Sequence, residues 1–244
     1  MSEQNNIITC NKCQSELIGP FCSNCGKPQK IKRINGQYIL TEIGSVLNFD
    51  KGILFTIREL LIRPGLNIQK FILEDRNRLV KPIVYLIIGS LVYTLLQQLL
   101  NFEDGYVNYS MDESSSISII FDWVSKNYGY ANILMSVFIA FWIKIFFRKY
   151  NYNFFEILIL LCFVMGTGML IFSFFGILNS VSKLQILDKG ILLGILHISW
   201  AIGQFFQKRK ILNYLKAFLS YLLGMISFSI TIVVIGMVVD LIKR

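Results

Sequence analysis

The sequence from residue 154 to residue 178 is FFEILILLCFVMGTGMLIFSFFGIL, and Glu156 is its only charged residue. A helix that crosses a bilayer needs about 20 mostly apolar residues. A soluble domain of ordinary composition does not require an apolar run of this length. The stretch therefore predicts a membrane-spanning helix and places the chain among integral membrane proteins.

Four other apolar runs predict further spans, at about 83–100, 131–147, 190–206 and 214–241. Together with 154–178 they predict an all-α integral membrane fold, a bundle of about five transmembrane helices over residues 83–244. The run at 190–206 is short and contains a histidine. An even number of spans, with this helix lying on the membrane surface, is the alternative.

Four cysteines near the N-terminus have the spacing of a metal site: Cys10, Cys13, Cys22 and Cys25. Two Cys-x-x-Cys pairs at this separation are typical of structural Zn2+, because four thiolates complete its tetrahedral shell. We predict a zinc ribbon over residues 1–30, with Gly26 at positive φ and Gly19-Pro20 reversing the chain. Another metal, an iron–sulfur cluster, a disulfide and a redox-active pair are the alternatives.

The net charge of +9 is unevenly distributed along the chain. If the N-terminus is cytoplasmic and five helices cross, 19 of the 24 Lys and Arg residues fall on the inner side, as the positive-inside rule requires. The outer loop at about 101–130 is then acidic. We therefore predict a cytoplasmic N-terminus and a C-terminus outside, with the cations beside anionic lipid headgroups rather than nucleic acid.

Residues 31–82 combine a basic linker with two amphipathic segments that precede the first span. In 52–63 the apolar residues share one helical face, and Pro64-Gly65 ends the run; the second segment is 66–80. We predict interfacial helices whose cations contact lipid headgroups or a protein partner: Arg58, Arg63, Lys70, Arg76, Arg78 and Lys81. The alternative is a small helical cap that packs on the bundle.

Ionisable residues within or near the spans are candidates for an intramembrane site. They are His197, in the middle of a span, and Lys144 and Glu156, which flank the short turn at 148–153. For Lys144 and Glu156 we favour a structural role near the interface. For His197 we favour a hydrogen bond between helices over a proton relay.

Small residues and amides within the spans predict helix–helix contacts. Gly190-x3-Gly194 and the segment Gly166-Thr167-Gly168 predict close approach of two helices, and Gln204 can hydrogen-bond across helices. Cys162, alone in its span, is interpreted as a packing residue.

Three elements within residues 10–82 carry a family resemblance. They are Cys10 and Cys13 with the run from Gly19 to Gly26, then Thr56, Leu60, Pro64 and Gly65, then Phe71, Ile72, Arg76 and Pro82. In these elements the chain resembles a bacterial family of zinc-ribbon multi-pass membrane proteins classed as a domain of unknown function. More loosely, the five-span layout is similar to that of Yip-type membrane proteins. The resemblance implies a bacterial inner membrane protein and no particular activity.

These features favour a non-enzymatic adaptor or scaffold, in which the ribbon and basic helices dock a cytoplasmic protein partner or lipid surface. The closed metal site and the absence of motifs such as His-Glu-x-x-His and Gly-x-Ser-x-Gly support this hypothesis. The alternative is a transporter, channel or lipid-handling protein, which glycine-interrupted helices would serve. An intramembrane enzyme is least favoured, no nucleic-acid partner is expected, and a homo-oligomer is left open.

Overall fold

A computed structural model of the chain describes residues 10, 13–15, 20, 22–25, 52–100, 115–182 and 186–243, without the side chains of residues 126, 128 and 129. The chain divides into two compact units, Met1–Ser45 and Val46–Arg244. The linker predicted from residue 31 lies outside the described residues as far as residue 51, as does most of the predicted ribbon. The four N-terminal cysteines belong to the first unit, and every helix described below belongs to the second.

The described part of the second unit is built from eight α-helices and one 3-10 helix. They are α1 (Ile53–Ile62), α2 (Pro64–Leu73), α3 (Pro82–Leu100), α4 (Ser116–Lys126), α5 (Tyr128–Phe146), the 3-10 helix (Arg148–Tyr150), α6 (Phe154–Ser182), α7 (Leu187–Gln207) and α8 (Ile211–Lys243). Over these residues no strand occurs, and the predicted all-α class is confirmed.

Four helices, α3, α6, α7 and α8, are long and apolar enough to cross a membrane. The helices α4 and α5 form a fifth candidate span only as a pair, and the bend between Ser116–Ser125 and Tyr130–Phe146 is 102°. The described residues therefore contain four candidate spans, or five if the bent pair is one span. The protein is membrane-embedded, and the predicted number of about five agrees with this range.

The ends of the predicted elements differ from the observed ones. The run predicted at 190–206 belongs to a helix of 21 residues, which is long enough to cross. The helix predicted over 66–80 is wrong at its C-terminal end, because α2 stops at Leu73. Asp75 Oδ1 accepts a hydrogen bond from Asn77 N at 2.8 Å, a local turn that replaces further helix.

The central helix of the bundle is α6. It packs against α3, α5 and α7, while α8 packs against α5 and α7. The helices α5, α6, α7 and α8 thus form a ring, and α3 lies against α6 and α5. Of the 18-residue apolar stretch of α6, 67% is buried against protein, compared with 17% of the corresponding stretch of α8. The stretch 154–178 therefore supplies the core of the bundle.

Helix α4 is hydrogen-bonded to the C-terminal part of α8. Asp240 accepts hydrogen bonds from Ser116 N at 3.0 Å and from Ser115 Oγ at 3.2 Å. A carboxylate at the N-terminus of a helix meets N–H groups that lack a partner within the helix. Asp240 therefore caps α4 although it lies 124 residues after Ser116 in the chain.

Glycines lie where neighbouring helices come closest. A Cβ at Gly89 would lie 2.8 Å from Gly166 O, so the backbones of α3 and α6 are in contact. At Gly190 and Gly194 of α7, a Cβ would lie 2.4 Å from Phe175 Cβ and 2.1 Å from Phe172 Cε1 of α6. The predicted close contact of Gly190-x3-Gly194 is confirmed, and its partners are phenylalanine side chains.

We expect Gly89→Ala to destabilise the bundle, because its methyl group would meet backbone atoms of α6 that cannot rotate away. Overpacking typically costs about 1–3 kcal/mol, and a chain of this size loses roughly 2–4 °C in Tm per kcal/mol. Thermal unfolding of the detergent-solubilised protein, followed by tryptophan fluorescence, measures the change. Leu91→Ala, at a position 56% exposed on the same helix, is the control and should change Tm little. An unchanged Tm for Gly89→Ala would contradict the contact.

Candidate metal centre and helical cap

The four N-terminal cysteines lie together although they come from two separate turns. All four Sγ atoms are within 4.8 Å of one another. Cys10 Sγ is 3.6 Å from Cys25 Sγ, and Cys13 Sγ is 3.5 Å from Cys22 Sγ. None of the four is joined in a disulfide; a disulfide would hold its sulfur atoms about 2.05 Å apart.

These distances suit a single metal ion. A tetrahedral ion with metal–sulfur bonds of about 2.3 Å separates its sulfur ligands by about 3.8 Å. The two measured separations are slightly shorter than this value. The four cysteines could therefore hold one metal ion, and they would occupy all four positions around it.

A tight turn shapes the first cysteine pair. Cys10 N donates to Ser15 O and Gln14 N donates to Cys10 O, both at 2.9 Å. Gln14 has a φ of 58°, in the left-handed region that non-glycine residues adopt infrequently. The positive φ predicted at Gly26 and the reversal predicted at Gly19 concern positions outside the described residues.

Ser15 is a residue of this site that the sequence pattern did not indicate. Its hydroxyl lies 2.8 Å from Cys13 Sγ and 3.2 Å from Cys22 Sγ. The hydrogen bond with the Ser15 hydroxyl is the largest cause of the lowered pKa of Cys13. It is also the largest cause for Cys22, whose pKa is lowered to about 6. Since thiolates rather than thiols bind metals, Ser15 favours the metal-binding form of these two cysteines, one at a time because its hydroxyl has a single proton to donate.

In the second unit, α1, α2 and residues 74–81 form what we call the cap. The cap packs on the bundle through the apolar face of its helices. Ile68 and Phe71 of α2 are buried, and the ring of Phe71 meets that of Phe163 in α6 edge to face, with centroids 5.1 Å apart. Of the two interpretations of this segment, the observed packing is the one expected for a helical cap.

The N-terminus of α2 lies directly on the last turns of α7. Gly65 N donates to Gln204 Oε1 at 2.8 Å, which confirms the predicted cross-helix hydrogen bond of Gln204. Gln69 Nε2 donates to Phe205 O. A Cβ at Gly65 would lie 2.5 Å from both Gln204 C and Phe205 N, so only glycine permits this contact.

Several residues that carry the family resemblance have packing roles in the cap. Thr56 is buried, and its hydroxyl donates to Gly52 O and accepts from Val80 N, both at 3.1 Å. This pair of hydrogen bonds ties α1 to the segment that leads into α3. Leu60 is 1% exposed.

Among the cations predicted to contact headgroups or a partner, Arg78 is engaged within the cap. Its Nη2 lies 3.6 Å from Glu59 Oε2 and 3.2 Å from Asn67 Oδ1, and its guanidinium is 5.8 Å from the Phe55 ring centroid. Lys70 is half-buried, whereas the remaining four are exposed: Arg58, Arg63, Arg76 and Lys81. Their contact with lipid or a partner stays a prediction.

Two basic turns of the bundle lie at the same end as the cap. Tyr150 OH donates to Gln207 Oε1 at 3.2 Å and accepts from Asn213 Nδ2 at 2.9 Å, which joins the turn before α6 to the turn after α7. These turns carry five exposed cations: Arg148, Lys149, Lys208, Arg209 and Lys210. One end of the bundle is therefore strongly basic, as the charge argument from the sequence requires.

The predicted intramembrane residues have separate surroundings. Lys144 Nζ donates to Tyr152 O. Glu156 Oε2 accepts from Asn153 N, and Asn153 Oδ1 accepts from Glu156 N, both at 2.8 Å; this is a capping box at the start of α6. His197 Nε2 is buried and has no hydrogen-bond partner among the described residues. The interhelical bond predicted for His197 is therefore not observed at this nitrogen.

Buried polar groups between α3, α5 and α6 were not predicted from the sequence. Tyr85 OH lies 3.0 Å from Thr167 Oγ1. Ser90 Oγ donates to Met169 Sδ at 3.2 Å, and Asn132 Nδ2 reaches the same sulfur at 3.7 Å. These groups satisfy one another, so they serve helix association. No signal in the sequence pairs them, because each is a single polar residue in an apolar run.

Residues 50–94 match the family model described as Protein of unknown function (DUF3667). The match covers the cap and about two thirds of α3, less than a fifth of the chain. It supports the resemblance to a domain of unknown function, but it does not extend to the four cysteines or to a Yip-type fold. No curated protein and no solved structure matches the chain.

We expect the purified full-length protein to contain one metal ion per chain, and Cys22→Ser to lose most of it. Removal of one of four ligands opens the shell and weakens binding. Elemental analysis by mass spectrometry, after exhaustive dialysis, gives the stoichiometry. Cys162→Ser is the matched control, because Cys162 lies in α6 and should leave the metal content unchanged. Equal metal content in all three proteins would contradict this assignment.

We expect Gly65→Ala to loosen the cap from α7. Alanine is the better helix former, so a destabilising effect can come only from the contact with Gln204 and Phe205. Hydrogen exchange of the amides in residues 53–73 should become roughly fivefold to a hundredfold faster, for a penalty of about 1–3 kcal/mol. Leu73→Ala, at a position 68% exposed on the same helix, is the control. Unchanged exchange in Gly65→Ala would show that the cap is not held there.

Proposed function

We propose that this membrane-embedded protein is a non-enzymatic adaptor, whose N-terminal cysteines form a structural zinc site that docks a protein partner at the membrane. The observation that carries the proposal is the convergence of four Sγ atoms within 4.8 Å. Four thiolates fill the shell of a tetrahedral ion and leave no position for water or substrate. Such a centre holds a short segment in a fixed shape.

Zinc is the ion that this donor set favours. Tetrahedral sets of four sulfur ligands are typical of zinc or of iron–sulfur centres. An iron–sulfur cluster places several atoms between its thiolates, whereas separations of 3.5 and 3.6 Å suit one ion. Metal binding would supply the folding free energy that so short a segment cannot obtain from an apolar core.

In this proposal the helices provide attachment to the bilayer. We infer that the basic end of the bundle faces the cytoplasm, because Lys and Arg concentrate on the cytoplasmic side of membrane proteins and favour anionic headgroups; the bacterial inner membrane is what the family resemblance implies. With the cap on that side, and the N-terminus predicted there too, the C-terminus lies outside, because α8 begins at the turn after α7 at the cap end and ends beside α4.

Transport by the bundle has less support. A proton or ion pathway needs a succession of titratable groups. Lys144 and Glu156 are engaged in local contacts, and His197 Nε2 has no hydrogen-bonded neighbour among the described residues to which it could pass a proton.

The adaptor proposal is tested by affinity purification of the full-length protein from mild detergent, with quantitative mass spectrometry. Wild type, Cys22→Ser/Cys25→Ser and the control Cys162→Ser are compared at matched membrane abundance. We expect a partner that is retained by wild type and by Cys162→Ser and lost from the double variant. The same partner should be lost from wild-type membranes treated with a zinc chelator. An identical set of partners in all samples would overturn the proposal.

A further inference from the structure

A cavity of about 540 Å³ lies between the N-terminus of α2 and the C-terminal end of α7. Five polar residues line it: Arg63, Gln69, Gln204, Gln207 and Lys208. Ile62, Leu66 and Phe206 supply its apolar surface. The cavity therefore combines cations, amides and an apolar wall at the end of a membrane-spanning helix.

The charge of this cavity is positive and not balanced by its own walls. Among the described residues no carboxylate lines it, and Glu59 of the cap is ion-paired with Arg78 at 3.6 Å. Arg63 and Lys208 are exposed and have no ion-pair partner among the described residues. Both cations are therefore available to an anion from outside the protein.

The amides of the cavity are oriented by bonds to the protein. Gln204 Oε1 accepts from Gly65 N at 2.8 Å, and Gln207 Oε1 accepts from Tyr150 OH at 3.2 Å. With both oxygens engaged, the NH2 groups of the two side chains are left as donors. Donors beside two cations suit an anionic oxygen, such as that of a phosphate.

The backbone carbonyls at the end of α7 would repel an anion, but side chains donate hydrogen bonds to two of them. Phe205 O accepts from Gln69. Lys208 O accepts from Tyr214 OH at 2.9 Å. The negative end of the helix dipole is thereby partly covered, and the cavity presents chiefly donors and positive charge.

The apolar wall distinguishes a lipid from a soluble anion. Ile62 is 54% exposed and Leu66 is 44% exposed, beside the cations and at the level where α7 ends. A phospholipid carries a phosphate next to apolar chains, and the polar headgroup region begins where the apolar length of a span ends. Free phosphate would use the cations and leave the apolar wall in water.

We propose that the cavity between α2 and the end of α7 binds the phosphate group of an anionic phospholipid. Arg63 and Lys208 contact the phosphate, Gln204 and Gln207 donate hydrogen bonds to it, and Ile62 and Leu66 contact the first part of an acyl chain. The lipid site does not involve the metal centre. Either proposal can therefore fail while the other holds.

The test measures binding of phosphatidylglycerol to the full-length protein in detergent, by native mass spectrometry with titrated lipid. We expect Arg63→Ala/Lys208→Ala to bind at least tenfold more weakly than wild type. The matched control is Lys149→Ala/Arg209→Ala, which removes the same charge at exposed positions that do not line the cavity; it should change binding less than twofold. Equal losses in the two double variants would overturn the proposal in favour of diffuse attraction.

A second variant guards against effects of folding. Gln204→Glu keeps the acceptor for Gly65 N but replaces the NH2 donor with a carboxylate oxygen. We expect it to weaken phosphatidylglycerol binding at least tenfold at unchanged Tm. Unchanged lipid binding in this variant would count against the site.

The source of the phosphate is decided by competition. If the ligand is a lipid, millimolar inorganic phosphate should not displace phosphatidylglycerol, and zwitterionic phosphatidylcholine should bind at least tenfold more weakly. Displacement by inorganic phosphate, or equal binding of both lipids, would overturn the assignment to an anionic phospholipid.

Discussion

The fold depends on how closely its helix backbones can approach one another. In a bilayer, lipid solvates apolar side chains about as well as protein does, so helix association rests on packing and on a few polar bonds. The chain meets this requirement where Gly89 touches Gly166 and where Gly190 and Gly194 admit phenylalanine side chains. Because α6 is a partner in all of these contacts, it lies between α3 and α7 and is the most buried of the four candidate spans.

The cap is attached by the same principle at the end of the bundle. The last carbonyls of a helix have no partner within it. At the end of α7, side chains of neighbouring helices donate hydrogen bonds to two such carbonyls. Gln69 of α2 donates to Phe205 O, and Tyr214 of α8 donates to the carbonyl of Lys208, which directly follows the helix. Gly65 allows α2 to come close enough for this to happen. The cap therefore satisfies a carbonyl at the end of α7 and also covers the side of α6 at Phe163.

Much of the fold could be predicted because bilayer thickness fixes the length of an apolar helix. The pairing of helices could not, because Gly89 lies in an unremarkable apolar run and its partner is 77 residues later. The amphipathic helix α1 was ambiguous for a different reason, since a lipid interface and a protein surface require the same apolar stripe. The convergence of the four cysteines followed from their spacing, whereas the role of Ser15 depended on the fold of the turn. The capping box of Asn153 and Glu156 was not predicted, although an Asn three residues before a Glu at the start of an apolar run is its sequence signature.

The two ends of the bundle use their charges differently, and this difference links topology to ligand binding. At the α4 end, the Asp240 carboxylate caps the start of α4, and Lys243 donates to Ser116 Oγ at 3.2 Å. At the cap end, Glu59 pairs with Arg78 and Glu156 caps the start of α6, and among the described residues the exposed cations outnumber the exposed carboxylates, Glu74 and Asp75. Unbalanced like charges repel one another, so their retention is easiest to understand if an anion outside the protein balances them. For a membrane-embedded chain the nearest anions are lipid headgroups. In the lipid-binding proposal, the overall charge distribution selects the leaflet, and the geometry at α2 and α7 selects which two cations bind one headgroup.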